Sequence, residues 1–244
     1  PDSILFFRMG DFYEMFYDDA ETASRVLGLT LTSRNNGGAA AVPLAGIPVR
    51  AVTEYLRRLV EQGFRVSICE QIEDPRFAKG VVKRAVTETI SPGAVFSDDL
   101  LDQARDNFVA ALTLHDGRIG VAAADVSTGV FRLAVTDLDD LDAVLARIAP
   151  REILLHEQLP ESMQQQVRAR VRLCHARTAW EFDPALGRDA LVQQYQLSSL
   201  AGLGVEASAA PALGAAGALL RYLKELQPAG LPQLARPVLE SVDA

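Results

Sequence analysis

The chain has 244 residues, 49% of them hydrophobic and 23% charged, with a formal net charge of −8, a composition that excludes a disordered chain and leaves room for one large or two ordinary domains. Its apolar runs fall short of the roughly 18 to 20 residues that span a bilayer, and no basic-then-apolar leader opens it, so a soluble, cytoplasmic protein with no membrane partner is expected. The acidic balance argues against a simple nucleic-acid-binding domain, whose footprint is usually basic, yet residues 1–91 carry 11 Lys and Arg against 12 Asp and Glu, leaving 13 against 20 for the rest.

In chain order, residues 4–9 read as a strand, followed by Gly10-Asp11-Phe12-Tyr13-Glu14-Met15-Phe16-Tyr17. Residues 12–27 then read as an amphipathic helix ended by Gly28, a favoured residue for a helix C-terminus. On that reading Asp11 and Glu14 form a capping box, and Phe12 and Phe16, four apart, share a helical face that favours a core role. The same octapeptide allows another use at a strand-to-helix junction. Phe12 is a candidate wedge, an apolar side chain pushed between base steps, and the Glu14 carboxylate can hydrogen-bond the edge of a displaced base.

Residues 29–33 read as a short strand and Arg34-Asn35-Asn36-Gly37-Gly38 as an exposed, turn-rich loop. Pro43 and Pro48 bracket a short apolar segment, and residues 51–62 read as a helix with Val52, Leu56, Leu59 and Val60 on one face. Residues 64–72 and 81–91 read as antiparallel strands. The sum is a mixed α/β domain over residues 1–91, with a linker over 92–104.

A second domain is expected over 105–244. Residues 107–114, 118–125 and 130–135 are β-rich runs separated by turn-length segments, the pattern of a three-stranded meander. Helix-like 138–148, strand-like 152–156, helix-like 161–169 and strand-like 171–175 then alternate, which suggests a mixed sheet covered by helices. A helix over 185–194 follows. A last, Ala-rich helix over 212–226 carries an apolar stripe of Leu213, Ala216, Leu219, Leu220 and Leu223, with Tyr222 placed largely elsewhere. Residues 231–244 show no capped element.

Candidate chemistry is sparse. Cys69 and Cys174, and His115, His156 and His175, are scattered without the spacing of a disulfide framework, a zinc site or a nucleophile–base pair. Neither G-x-x-x-x-G-K-[ST] nor a strand-following G-x-G-x-x-G is present. Asp125, at a predicted strand end, is the obvious first ligand for a metal-dependent nuclease or phosphotransfer enzyme. An isolated Asp before a hairpin is more often a turn residue.

The octapeptide, together with Pro43-Leu44-Ala45-Gly46-Ile47-Pro48 and Cys69-Glu70-Gln71-Ile72, closely resembles the amino-terminal region of the bacterial MutS family of mismatch-recognition proteins. Trp180-Glu181-Phe182 and Gly202-Leu203-Gly204-Val205-Glu206 extend the resemblance through the second half. It implies a mixed α/β mismatch-recognition domain followed by a ribonuclease-H-like connector, together a fragment of a longer protein. It further implies that Phe12 stacks on a mispaired or unpaired base and that Glu14 hydrogen-bonds it. Arg34, Asn35, Asn36, Arg76, Lys79, Lys83 and Arg84 are candidates for backbone phosphate contact, and Gln193, Gln194 and Tyr195 for a partner surface. The implied partners are mismatched double-stranded DNA, a MutL-type protein and a second MutS subunit. No cofactor is expected in this chain, and ATP and Mg are expected only in an ATPase domain beyond it. Val86-Thr87-Glu88-Thr89-Ile90 departs from the family in carrying an acid where relatives often have a base.

Overall fold

The computed structural model describes residues 2–34, 41–73, 80–96, 100, 106–203, 209–230 and 233–240. The chain divides into two compact units, one built on residues 1–92 and the other on Gly93–Phe96, 103–225 and 230–244.

In the first unit, β1 (Ile4–Met9), β2 (Phe12–Phe16), β3 (Thr32–Arg34), β4 (Val42–Pro48), β5 (Val66–Gln71) and β6 (Arg84–Ile90) form one sheet in the order β3-β4-β2-β1-β5-β6. Only β1 and β5 among these neighbours run parallel. The connections of this mixed sheet include helices α1 (Tyr17–Leu27) and α2 (Val52–Glu61). Phe6, Met15, Ala20, Ala23, Ile47, Leu59 and Val66 are fully buried and make its core.

The helix expected over 12–27 is corrected in its first five residues, which are strand β2. Burial there alternates with period two: Tyr13 and Met15 point inward while Phe12, Glu14 and Phe16 share the other face. The Phe12/Phe16 spacing misled because residues four apart also share a face in a strand. Gly10, at φ +59°, is the first central residue of a two-residue turn closed by the Met9–Phe12 pair. That is where a tight hairpin favours glycine. No capping box forms at Asp11 and Glu14. The helix starts at Tyr17, itself at φ +52°, with no side-chain cap at Phe16. It ends where expected, Gly28 adopting φ +73° and donating its N–H to Ser24 O at 2.9 Å. Asp19 ties α1 to the sheet, its carboxylate accepting from Leu5 N at 2.9 Å.

The second unit opens with the expected meander, β7 (Phe108–His115), β8 (Arg118–Asp125) and β9 (Val130–Thr136), all antiparallel. Helices α3 (Leu141–Ile148) and α4 (Glu161–Arg168) then carry the chain to β10 (Glu152–His156) and β11 (Leu173–Arg177), which add in parallel on the far side of β7. The order is β11-β10-β7-β8-β9-β12. A central meander extended by two parallel crossovers is the ribonuclease-H-like arrangement. The last strand, β12 (Val238–Glu240), pairs parallel with β9 and lies in the stretch for which the sequence predicts no element.

Helices α5 (Pro184–Tyr195) and α6 (Ala210–Leu226) complete the unit. Here the expected stripe is corrected: residues 211–220 are buried all round, and Tyr222, expected off the apolar face, is 2% exposed. Glycines make this possible by letting backbones touch. A Cβ on Gly120 would collide with the Pro211 carbonyl, one on Gly187 with that of Leu213, and one on Gly214 with that of Phe182. Over 211–220 the helix is wedged between the sheet and its neighbours and has no solvent face to keep polar, while Lys224 and Glu225 of its last turn are exposed. The Tyr222 hydroxyl instead donates to the buried Glu152 carboxylate, which also accepts from Gly93 N at 3.1 Å and lies 2.9 Å from His175 Nε2. Among the described residues, no helix is long and apolar enough to cross a membrane.

Candidate nucleic-acid interface

The β1–β2 hairpin places Phe12 as the first residue after the turn. Phe12 is 49% exposed, although the next residue of β2, Tyr13, is buried. Phe12 stands opposite Met9 on one side and Pro48 on the other. Pro48 pairs there without the N–H it lacks, because Phe12–Pro48 is a non-hydrogen-bonded pair, and Val49 N donates to Asp11 O at 2.9 Å to hold the turn against the end of β4. Arg8, Asp11, Phe12, Pro48, Val49 and Arg50 line a groove of about 500 Å³.

Glu14 lies on the same face as Phe12, half-buried, between Phe7 on β1 and Gly46 on β4. Gly46 brings no side chain to that face. Tyr13, between Phe12 and Glu14, points the opposite way and locks the strand. Its hydroxyl donates to Glu70, with the Arg8 guanidinium 5.5 Å from its ring centroid and 3.5 Å from the Glu70 carboxylate. Burial, reinforced by the Glu70 carboxylate, pushes the Tyr13 hydroxyl up to about 12, so it remains a donor at any physiological pH. One strand thus displays an aromatic and an acid while an aromatic between them anchors it.

Two cations beside Phe12 are absent from the sequence-derived candidates. Arg8 precedes the turn, its Nε donating to Gly10 O at 2.5 Å, and the exposed Arg50 follows Pro48 by two residues. For Arg8 the adjacency to a glycine turn was a signal. For Arg50 there was none, because only the β2–β4 register brings it near Phe12.

The candidate phosphate contacts fare differently from one another. Arg34 ends β3 opposite Val42, while Asn35, Asn36, Arg76 and Lys79 lie outside the described residues. Lys83 is exposed. The Arg84 guanidinium is turned onto β1, donating to Arg8 O at 2.9 Å and Val82 O at 2.9 Å and lying 5.0 Å from the Phe7 ring centroid.

In the second unit, Asp125 is 1% exposed and its carboxylate is filled by local donors: Asn107 N at 3.0 Å, Ser127 N at 3.0 Å, Ser127 Oγ at 2.6 Å and Thr128 N at 3.3 Å. Three of these close the β8–β9 turn, which is the chemistry of a turn residue. Among the described residues, no group of three or more His, Cys, Asp or Glu side chains is placed to hold a metal ion. Of the candidate partner surface, Gln193 is exposed and Gln194 half-buried. The Tyr195 hydroxyl donates to Ala235 O at 2.8 Å, and burial holds its pKa well above the usual phenol range. It ties α5 to the chain's C-terminal segment.

The first unit carries an exposed aromatic at a hairpin tip with a carboxylate on the same face, and the second has the ribonuclease-H-like arrangement that the sequence resemblance implies. Residues 1–99 match the family model for MutS domain I, and residues 107–235 match that for MutS domain II. The chain therefore belongs to the MutS family of DNA mismatch-repair proteins and comprises its first two domains.

Proposed function

We propose that the first domain reads mispaired or unpaired bases in double-stranded DNA by inserting Phe12 as a wedge, and that the second relays the bound state to the rest of a longer protein. The observation that carries this is the half-exposed Phe12 ring at the tip of a hairpin whose neighbouring inward residues, Tyr13 and Met15, are buried. A mispair stacks poorly, so wedging an aromatic beside it and bending the duplex costs less than at a matched step. Specificity then needs few base-specific contacts. Glu14, on the same face, accepts from the edge of the displaced base, and its charge penalises a straight, matched duplex through repulsion from phosphates.

Arg50, exposed beside Phe12 in the groove, meets a phosphate that flanks the wedged step, while the Arg8 guanidinium is held by Tyr13 and Glu70. Lys83 offers a more distant contact. The nearly even charge of residues 1–91 fits a local contact whose wider phosphate grip comes from elsewhere in the protein. The longer protein acts in the cytoplasm as a dimer with a second MutS subunit, hydrolyses ATP with Mg in a separate domain, and signals to a MutL-type protein through the connector. Gln193 and the exposed side of α5 are the connector surface we assign to that partner. The rival reading, a metal-dependent nuclease centred on Asp125, is disfavoured by the four donors that occupy its carboxylate.

The test is affinity, at fixed salt in the full-length protein, for a duplex carrying one G·T mispair or unpaired T against its matched control. The wild type should prefer the defective duplex and Phe12→Ala should lose that preference. An equal preference in both returns Phe12 to an ordinary surface role.

A further inference from the structure

Arg84 was a candidate for phosphate contact on its charge and its place near a hairpin, and its geometry gives it another task. It opens β6, three strands away from β2 in the sheet, yet its guanidinium reaches across β5 to β1. Nε donates to Arg8 O at 2.9 Å, Nη1 to Val82 O at 2.9 Å, and Nη2 approaches Met9 Sδ at 3.5 Å. The same guanidinium lies 5.0 Å from the Phe7 ring centroid.

The register gives those contacts their meaning. Phe7 is the cross-strand partner of Glu14, and Met9 is the cross-strand partner of Phe12. Since alternate residues of a strand share a face, Phe7, Met9, Phe12 and Glu14 stand together on one side of the hairpin. Arg84 therefore touches the partner of each of the two reading residues and bonds the backbone carbonyl between those partners. Its planar fork engages three separate groups at once, which a lysine ammonium on a flexible stem does not reproduce. The β1–β5 pairing ends at Phe7–Cys69, so Arg8 and Met9 extend beyond the last paired residue of β5. Arg84 supplies a hydrogen bond to the β1 backbone at Arg8 O, where the β1–β5 backbone pairing has ended.

We infer that Arg84 is a positioning residue for mismatch reading: it fixes the distal end of β1, and through Phe7 and Met9 the orientation of Glu14 and Phe12, and makes no phosphate contact. This rests on the wedge reading of Phe12. A site held loosely by its supporting residues loses discrimination before it loses binding. A phosphate contact behaves differently, since its removal weakens all duplexes alike and lowers the salt slope by about one.

The experiment is a two-by-two set in the full-length protein: wild type, Phe12→Ala, Arg84→Met and the double variant, with Arg84→Lys alongside. Affinity for a G·T duplex and its matched control is measured over a range of salt, and fluorescence of a 2-aminopurine beside the mispair reports unstacking. Melting curves confirm that each variant is folded at the assay temperature, and Arg84→Lys keeps the test available should Arg84→Met be unstable. The expected result is that both Arg84 variants lower the preference by about tenfold, the scale of one or two lost positioning bonds, and weaken the 2-aminopurine signal. Matched-duplex affinity and salt slope stay at wild-type values, and the double variant discriminates no worse than Phe12→Ala alone. An unchanged preference in folded Arg84 variants, with Phe12→Ala still collapsing it, overturns the role of Arg84 and leaves the wedge standing. Equal weakening on both duplexes with a smaller salt slope, relieved in Arg84→Lys, makes Arg84 a phosphate contact and overturns it as well. A preference that survives Phe12→Ala overturns the wedge, and the role of Arg84 with it.

Discussion

Phe12 and Pro48 are the last paired residues of β2 and β4, a non-hydrogen-bonded pair whose closure makes no use of the N–H that proline lacks. Val49 N donates to Asp11 O at 2.9 Å just beyond this pair, so the ladder runs out where β2 gives way to the Gly10–Asp11 turn, and Val49 and Arg50 line the groove beside Phe12. A half-exposed aromatic is thereby held at the end of an internal strand that is paired on both sides up to its own position.

Stability should separate Phe12 from its neighbours. Phe12→Ala removes a ring that is 49% exposed and is expected to change the unfolding free energy by less than about 0.5 kcal/mol, as for surface positions generally. Met15→Ala, three residues on and fully buried, should cost about 2–5 kcal/mol. Urea denaturation of the two variants checks both. A large loss for Phe12→Ala would mean that its ring is structural.

Glu14→Ala should tighten binding to matched DNA more than to mispaired DNA, because it removes a carboxylate that faces phosphate on a straight duplex. Titration of both duplexes at low and high salt checks this, with the gain shrinking as salt rises. Weaker binding to both would count against repulsion as the source of selectivity.

The close approaches around α6 predict sharp sensitivity to single methyl groups. Gly187→Ala and Gly214→Ala put a Cβ onto backbone carbonyls of Leu213 and Phe182, and each should cost at least about 1–3 kcal/mol through overpacking. Gly46→Ala is the control: its Cβ would meet only Tyr13 O at 3.7 Å, an ordinary contact, so a change within about 0.5 kcal/mol is expected. Melting temperatures of the three variants decide it.

Acidification should weaken the second domain through His156. Burial lowers the pKa of this imidazole below its ordinary 6.5, outweighing the opposite pull of Glu157. A depressed folded-state value means that the unfolded chain binds the proton more readily, so the contribution is fully present above pH 6.5 and is lost as pH falls below that toward the depressed value. The ring packs edge-on against Phe182, with centroids 5.2 Å apart, and its Nδ1 accepts from Gln158 N at 3.2 Å. His156→Gln should flatten the dependence of melting temperature on pH across this window. An unchanged slope would assign it to other groups.

Asp125→Ala should act on folding. Removing the acceptor of three backbone amides and a hydroxyl is expected to cost about 1–3 kcal/mol or more, the penalty for leaving buried donors unpaired. The purified chain should show no Mg- or Mn-dependent cleavage of DNA or RNA. Cleavage that disappears in this variant would reinstate the nuclease reading.

Local pattern in the sequence was enough for the mixed α/β class of both domains, the meander, the alternating crossovers and the Gly28 end of α1, because period-two and period-3.6 burial and turn chemistry are written in neighbouring residues. It also singled out Phe12 and Glu14 as a pair, since their spacing of two is a local fact. Tertiary structure decided what that spacing meant. The hairpin, and not a helix, puts both on one face with Tyr13 locked behind them, because pairing with β1 and β4 overrides a capping pattern whose hydrogen bonds are weaker than two strand ladders. The same holds for Arg50 beside Phe12, Arg84 against Phe7 and Met9, and Tyr222 on Glu152. Each joins residues far apart in the chain through register or helix packing, and a one-dimensional pattern carries no record of which distant backbone will come to lie alongside.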